Sequence, residues 1–86
     1  MRRARRSLRR GEVRHVEEFG RVRVDVMGCG HIWHTSVTFT CGTWPRTIFR
    51  STCMLGRTVA LRRLAAWLKS AGIQMRRAGE YVEGLA

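Results

Sequence analysis

The stretch Met27 to Cys41, MGCGHIWHTSVTFTC, gathers Cys29, His31, His34 and Cys41 within fifteen residues. Cysteine and histidine at that density raise two chemistries: a zinc site, and a thiol nucleophile activated by a neighbouring imidazole. Structural zinc draws four ligands to about 2.0 to 2.3 Å and usually takes them from close pairs such as C-x2-C. No such pair occurs in this chain. If residues 32 to 41 are extended, Cys41 also lies about 30 Å from the turn that carries Cys29, at roughly 3.3 Å per residue. The set that a sheet can still bring to one end is Cys29, His31, His34 and Cys53, because a third strand returns there. The expectation is therefore no cofactor, with Cys41 and Cys53 as small buried hydrophobes and zinc on those four residues as the alternative.

A nucleophilic Cys29 would need a histidine and a third group to orient it. Asp25 is the candidate, facing His34 across the expected hairpin. A hairpin tip offers no pocket and no oxyanion site, so the chain is not expected to be an enzyme. Its 86 residues bury roughly 60 to 65 % of the unfolded surface, which leaves little room for a deep cleft.

Charge points elsewhere. Seventeen Lys and Arg against six Asp and Glu leave a formal +11, a field that attracts polyanions or acidic protein surfaces. All but Lys69 are arginines; guanidinium binds phosphate bidentately and stacks on bases, although GC-rich coding produces the same bias. Arg2, Arg3, Arg5, Arg6, Arg9 and Arg10 fall in the first ten residues. Such a block repels itself and seldom folds alone, so residues 1 to 11 are expected to be a flexible basic arm on a single domain spanning 12 to 86. Arginine-rich segments bind phosphates in a salt-dependent way and order on RNA. Arg21 and Arg23 on the solvent face of a hairpin, and Arg62 and Arg63 on a helix surface, complete the candidate nucleic-acid contacts. Trp67 follows Arg63 by four residues, a spacing that suits a cation–π cover.

The elements that hold these residues follow from periodicity. From Arg21 to Met27 the pattern has period two, with Val22, Val24 and Val26 on one side, and Ile32 to Cys41 alternates again. A four-residue turn at 28 to 31 would pair Val26 with Trp33, Val24 with Thr35 and Val22 with Val37. The segment from 12 to 20 reads as a mixed-charge connector, able to form a short helix or lead into a strand. GTWPR reads as a second turn around the single proline, and Thr47 to Cys53 as a third strand with Phe49 beside Phe39 on the buried face. GRTVALRRLAAWLKSAG is an amphipathic helix whose stripe is Ala60, Leu61, Leu64, Ala65, Leu68 and Ala71, closed by Gly72. Residues 73 to 86 fit a strand through Ile73 and Met75, or a helix through Met75, Ala78, Val82 and Leu85. In the helical case the two last segments have the outline of a helix-turn-helix, weakened by Gly79 and Gly84.

The expected class is α+β: a three-stranded antiparallel sheet packed on one helix in the C-terminal half, with Val24, Trp33, Val37, Phe39, Leu61, Leu64 and Leu68 in the core. No apolar run reaches the ~20 residues of a membrane span. The cationic start lacks the apolar segment of a secretory signal, though an Arg-rich, acid-free start also fits an organelle transit peptide. Three cysteines do not make a disulfide framework. These features together give a cytoplasmic, non-enzymatic nucleic-acid-binding protein, RNA or DNA, without membrane association. The alternative is a small basic inhibitor or adaptor, of the kind found in phage, that docks on an acidic protein surface.

Overall fold

The computed structural model describes residues 11–86, with the backbone alone at positions 73 and 74. The basic arm, residues 1–10, lies outside the described residues. The class is α+β with an antiparallel sheet packed on a C-terminal helix, but the sheet has four strands and the helical layer two helices, not three and one. The strands are β1 Val13–Phe19, β2 Val22–Cys29, β3 Ile32–Cys41 and β4 Trp44–Cys53, followed by α1 Arg57–Ala71 and α2 Ile73–Leu85. The sheet is a simple meander in the order β1-β2-β3-β4.

All three hairpins turn in two residues, Gly20-Arg21, Gly30-His31 and Gly42-Thr43. Each opens on a glycine at φ between 61° and 66°, the positive value that tight hairpin turns require and that L side chains resist. This corrects the expected register. The β2–β3 turn has two residues instead of four, so Val26 faces Thr35, Val24 faces Val37 and Val22 faces Phe39. The slip is an even number of residues, so the valines still share one face with Trp33 and Val37. Gly28 stays inside β2 because the Trp33 ring covers it, and a Cβ there would collide with the indole and with the Ile32 carbonyl oxygen.

The 12–20 connector is instead edge strand β1. It pairs with β2 from Val13↔Gly28 to Phe19↔Val22. Its charges suit an edge, where polar side chains discourage pairing with foreign strands. At the opposite edge, β4 starts at Trp44, earlier than expected, and accommodates Pro45 because an edge strand leaves one side of its ladder unpaired. A bulge between Val37 and Thr38 leaves Ile48 as the extra residue of β4. Phe49 turns inward as expected, but opposite Val37 rather than Phe39.

Both helices cover the same face of the sheet, α1 over β3 and β4, α2 over β1 and β2. Leu61, Leu64 and Leu68 of α1 are completely buried against Val22, Val24, Val26 and Val37. Burying each such side chain is worth about 1.5 to 3 kcal/mol. Ala71 and Phe39 depart from expectation: Ala71 is exposed at the end of α1, and Phe39 is only half-buried at the sheet's far end. Residues 73 to 85 are helical, with Ala78 and Val82 fully buried. Gly79 does not weaken that helix idly; a Cβ there would stand 2.6 Å from Lys69 Cγ and 3.2 Å from the Ala65 carbonyl oxygen. At this position α2 lies close on α1. Among the described residues, no helix is long and apolar enough to cross a membrane.

Candidate nucleic-acid interface

With both helices on one side, the other face of the sheet is left bare by the described residues, and the strand pairings define its side chains in rows. One row runs Arg14, Met27, His34, Thr52; the next Val16, Asp25, Ser36, Arg50; the third Glu18, Arg23, Thr38, Thr47. Neighbours within a row stand on adjacent strands about 4.8 Å apart, and rows follow each other every two residues, roughly 6.7 Å. Arg14, Asp25, Met27, His34, Ser36, Thr47, Arg50 and Thr52 line a groove of about 430 Å3 on this face.

Two contacts order the groove. Arg14 reaches diagonally to Asp25, with Nη2 to Oδ2 at 2.6 Å and Nε to Oδ1 at 3.3 Å. The carboxylate holds the Arg14 guanidinium above its ordinary pKa, a gain that desolvation partly opposes. The pair is partly exposed, so it contributes under about 1 kcal/mol to stability. Its consequence for the face is that the only acidic residue lining the groove is neutralised. His34 Nδ1 lies 3.1 Å from Thr52 Oγ1. When the hydroxyl donates to Nδ1, the imidazole carries its proton on Nε2 and can donate it outward. The side chains of Arg23 and Arg50, among the described residues, have no hydrogen-bonding or ion-pairing partner.

The expected site residues divide between two sides of the molecule. Arg23 stands on the bare sheet face, with Arg21 in the β1–β2 turn beside it. Arg62 and Arg63 are exposed on α1, on the outside of the helical layer, together with Arg76 and Arg77 of α2. No single flat ligand touches both groups. Arg14 and Arg50 are additions to the expected set; the signal for Arg50 is its two-residue spacing from Thr52, and Arg14 joins the face only because β1 is a strand. Trp67 is not covered by Arg63: it is half-buried and its ring packs on Phe49 at 4.8 Å. The cation–π contact of the molecule's described part joins Arg57 to Trp33, at 5.9 Å.

The pairing does not bring the four alternative zinc ligands to one place. Cys53 pairs with Trp33 and is buried on the helix side, where its Sγ accepts the Leu55 N–H at 3.5 Å. His34 pairs with Thr52 and points to the bare side. The sheet therefore separates Cys53 from His34, and Cys29 and His31 lack the other two ligands; among the described residues no three His, Cys, Asp or Glu groups converge on a metal position. Cys41, expected to be buried, is exposed at the end of β3. The Cys–His–Asp trio is not assembled either, because Asp25 faces Ser36 and is held by Arg14, while His34 faces Met27.

On the helix side, His15 is half-buried, and burial first, then the Arg57 charge, push its pKa below the ordinary value. Tyr81 packs on Phe19 with tilted rings 5.6 Å apart, and burial, with Glu17 adding to it, pushes the phenol up. Both groups are occupied with packing. Comparison of the chain with protein-family models, with curated proteins and with solved structures gave no match.

Proposed function

We propose that this protein binds nucleic acid without catalysing a reaction, using the bare sheet face against the phosphate backbone and the arginine arm, residues 1 to 10, to add charge contacts. The observation that carries the reading is the composition of that face among the described residues: Arg23 and Arg50 without side-chain partners beside the donors Ser36, Thr38, Thr47, Thr52 and His34, with Asp25 in the groove already paired and Glu18, opposite Arg23, another carboxylate of the face. Arginine and hydroxyl donors are the groups that phosphate oxygens accept from. Among the described residues the face carries one ring able to stack on a base, the His34 imidazole; Phe19, Trp33 and Phe49 all belong to the helix-facing side. Binding of single strands by a sheet relies on several such rings upon which successive bases stack, so with a single imidazole the expected ligand is a double helix contacted through its backbone.

The test is affinity for generic duplex and for a single strand of equal length, measured across salt with the full chain and with residues 11–86. Affinity for duplex should fall linearly in log–log form and exceed that for the single strand. Removing the arm takes away six of the formal eleven positive charges, since eleven cations against six anions leave +5 in residues 11–86. The slope should then flatten by about 0.9 for each phosphate that the arm no longer neutralises. Salt-independent binding, or equal affinity for both ligands, contradicts the proposal.

A second reading is favoured by a different observation. Trp44, Ile48, Met54 and Leu55 are exposed along β4 and the link that follows it, and exposed apolar side chains beside polar ones characterise protein interfaces. In that reading the protein is a basic inhibitor or adaptor on an acidic protein surface. A stoichiometric protein complex that survives high salt, with no affinity for duplex, selects it.

A further inference from the structure

We propose that the bare face contains a defined phosphate seat centred on Arg50, and that Arg23 contacts a different phosphate of the same ligand. The inference rests on the nucleic-acid reading for its macromolecular ligand but is carried by its own geometry. Arg50 is the middle side chain of β4's outward row, flanked by Thr52 on one side and Thr47 on the other. Directly across the strand pair stands Ser36, and one row away His34, whose Nδ1 is engaged by Thr52 Oγ1 at 3.1 Å. A tetrahedral anion lying over Ser36 meets a guanidinium, a serine hydroxyl and an imidazole N–H from three directions. Charge-assisted donors of this kind are about twice as strong as neutral ones.

Asp25 is the group that would repel the anion, since it neighbours Ser36 on the side away from Arg50. Arg14 holds it by two nitrogens. The groove thus presents two guanidiniums around one carboxylate, and the guanidinium facing Ser36 is the free one. Arg23 stands two strands and one row from Arg50, about 12 Å between their backbone positions. That spacing suits two separate phosphates of one backbone, each held by its own guanidinium. Arg62 and Arg63 differ in kind: they project from a convex helix surface and have no hydroxyl row beside them.

The test is a two-dimensional NMR titration of the full chain with inorganic phosphate at constant ionic strength, followed by a titration with duplex. Saturable shifts are expected at Ser36, Arg50 and Thr52, weakened at least about tenfold in Arg50→Gln and unchanged in the double variant Arg62→Gln, Arg63→Gln. The duplex should shift the same residues and Arg23 as well. The spectrum of Arg50→Gln itself reports that the fold is intact, and Thr52→Val provides a second variant that should weaken phosphate while keeping every charge. Shifts that never saturate and spread over all arginines overturn the seat, as does an Arg50→Gln variant that binds phosphate like the parent. Duplex binding that persists without a response at Arg50 overturns the seat and leaves the nucleic-acid reading standing. A saturable seat in a chain that ignores duplex upholds the seat and assigns it to another phosphorylated ligand.

Discussion

The two faces of this sheet are made by the same four strands, alternating residue by residue, yet among the described residues one face is packed at its centre under two helices and the other is covered by no element. Toward the helices, β2 contributes Val22, Val24 and Val26, each at most 1 % exposed, and the helices answer with leucines. Toward solvent the same strand contributes Arg23, Asp25 and Met27, and β3 adds His34, Ser36 and Thr38. The covered face stabilises the fold by removing apolar surface from water. The bare face stabilises little, so its residue types are free to serve something other than folding. Hydroxyls and unpaired guanidiniums on such a surface are costly to desolvate without a partner, and they suit a ligand that supplies acceptors.

The sharpest way to break this contrast is to delete side chains on each face. Leu64→Ala on the covered face should cost about 2 to 5 kcal/mol, as removal of a fully buried leucine does. Ser36→Ala on the bare face should change stability by under about 0.5 kcal/mol. Chemical denaturation of both variants measures the two values; similar losses would mean that the bare face is structural.

A smaller effect comes from the two glycines of α2. Gly79→Ala gains up to about 1 kcal/mol of helix propensity but forces a methyl against Lys69 and the Ala65 carbonyl, an overpacking penalty of about 1 to 3 kcal/mol. Net destabilisation is expected. Gly84→Ala meets nothing within 4 Å and should be neutral or stabilising by up to about 1 kcal/mol. Thermal melting that ranks the two in the opposite order would show that α2 does not lie tightly on α1 at Gly79.

These contrasts also explain what is legible in the chain. The span of the helix α1 is legible because its five buried side chains repeat at helical spacing and Gly72 ends it, although Ala71 of the expected stripe is exposed. The inward parity of Val22, Val24, Val26, Trp33 and Val37 is equally plain, since a buried face imposes period two. The strand β1 is hidden because an edge strand needs few apolar residues, and VRHVEEF has four ionisable side chains in seven. Without β1 as a strand, Arg14 has no place on the candidate site. The register is misplaced because GCGH offers two glycines, and local sequence does not say that Gly28 is required beneath Trp33 while Gly30 makes the turn. A shifted register sets Asp25 against His34 and conceals its pairing with Arg14. The helix α2 is ambiguous because Ile73 and Met75 alternate before Met75, Ala78 and Val82 settle into a helical stripe.

The least of the expected effects concerns pH. His15 lies on the covered side of β1 and its pKa is lowered by burial, then by Arg57. The unfolded chain therefore takes up a proton below the ordinary value near 6.5 more readily than the folded one. Stability from this group is intact above that value and declines as pH falls from it toward the lower folded value. Denaturation midpoints at about pH 8 and about pH 5 should show a slightly smaller decline for His15→Gln than for the parent; an equal or larger decline would mean that the covered side does not desolvate this edge.

The claim that the bare face is the binding surface meets its most direct test in the salt dependence of duplex binding by three full-length proteins: the parent, the double variant Arg23→Gln, Arg50→Gln, and the double variant Arg62→Gln, Arg63→Gln. All three retain the arm, and the two variants have given up equal charge. If Arg23 and Arg50 each neutralise one phosphate, the first variant should show a slope shallower by about 1.8 and the second a slope close to the parent's. The reverse ranking, with the helix variant losing slope and the sheet variant keeping it, would contradict the account and move the nucleic acid to the outside of the helical layer.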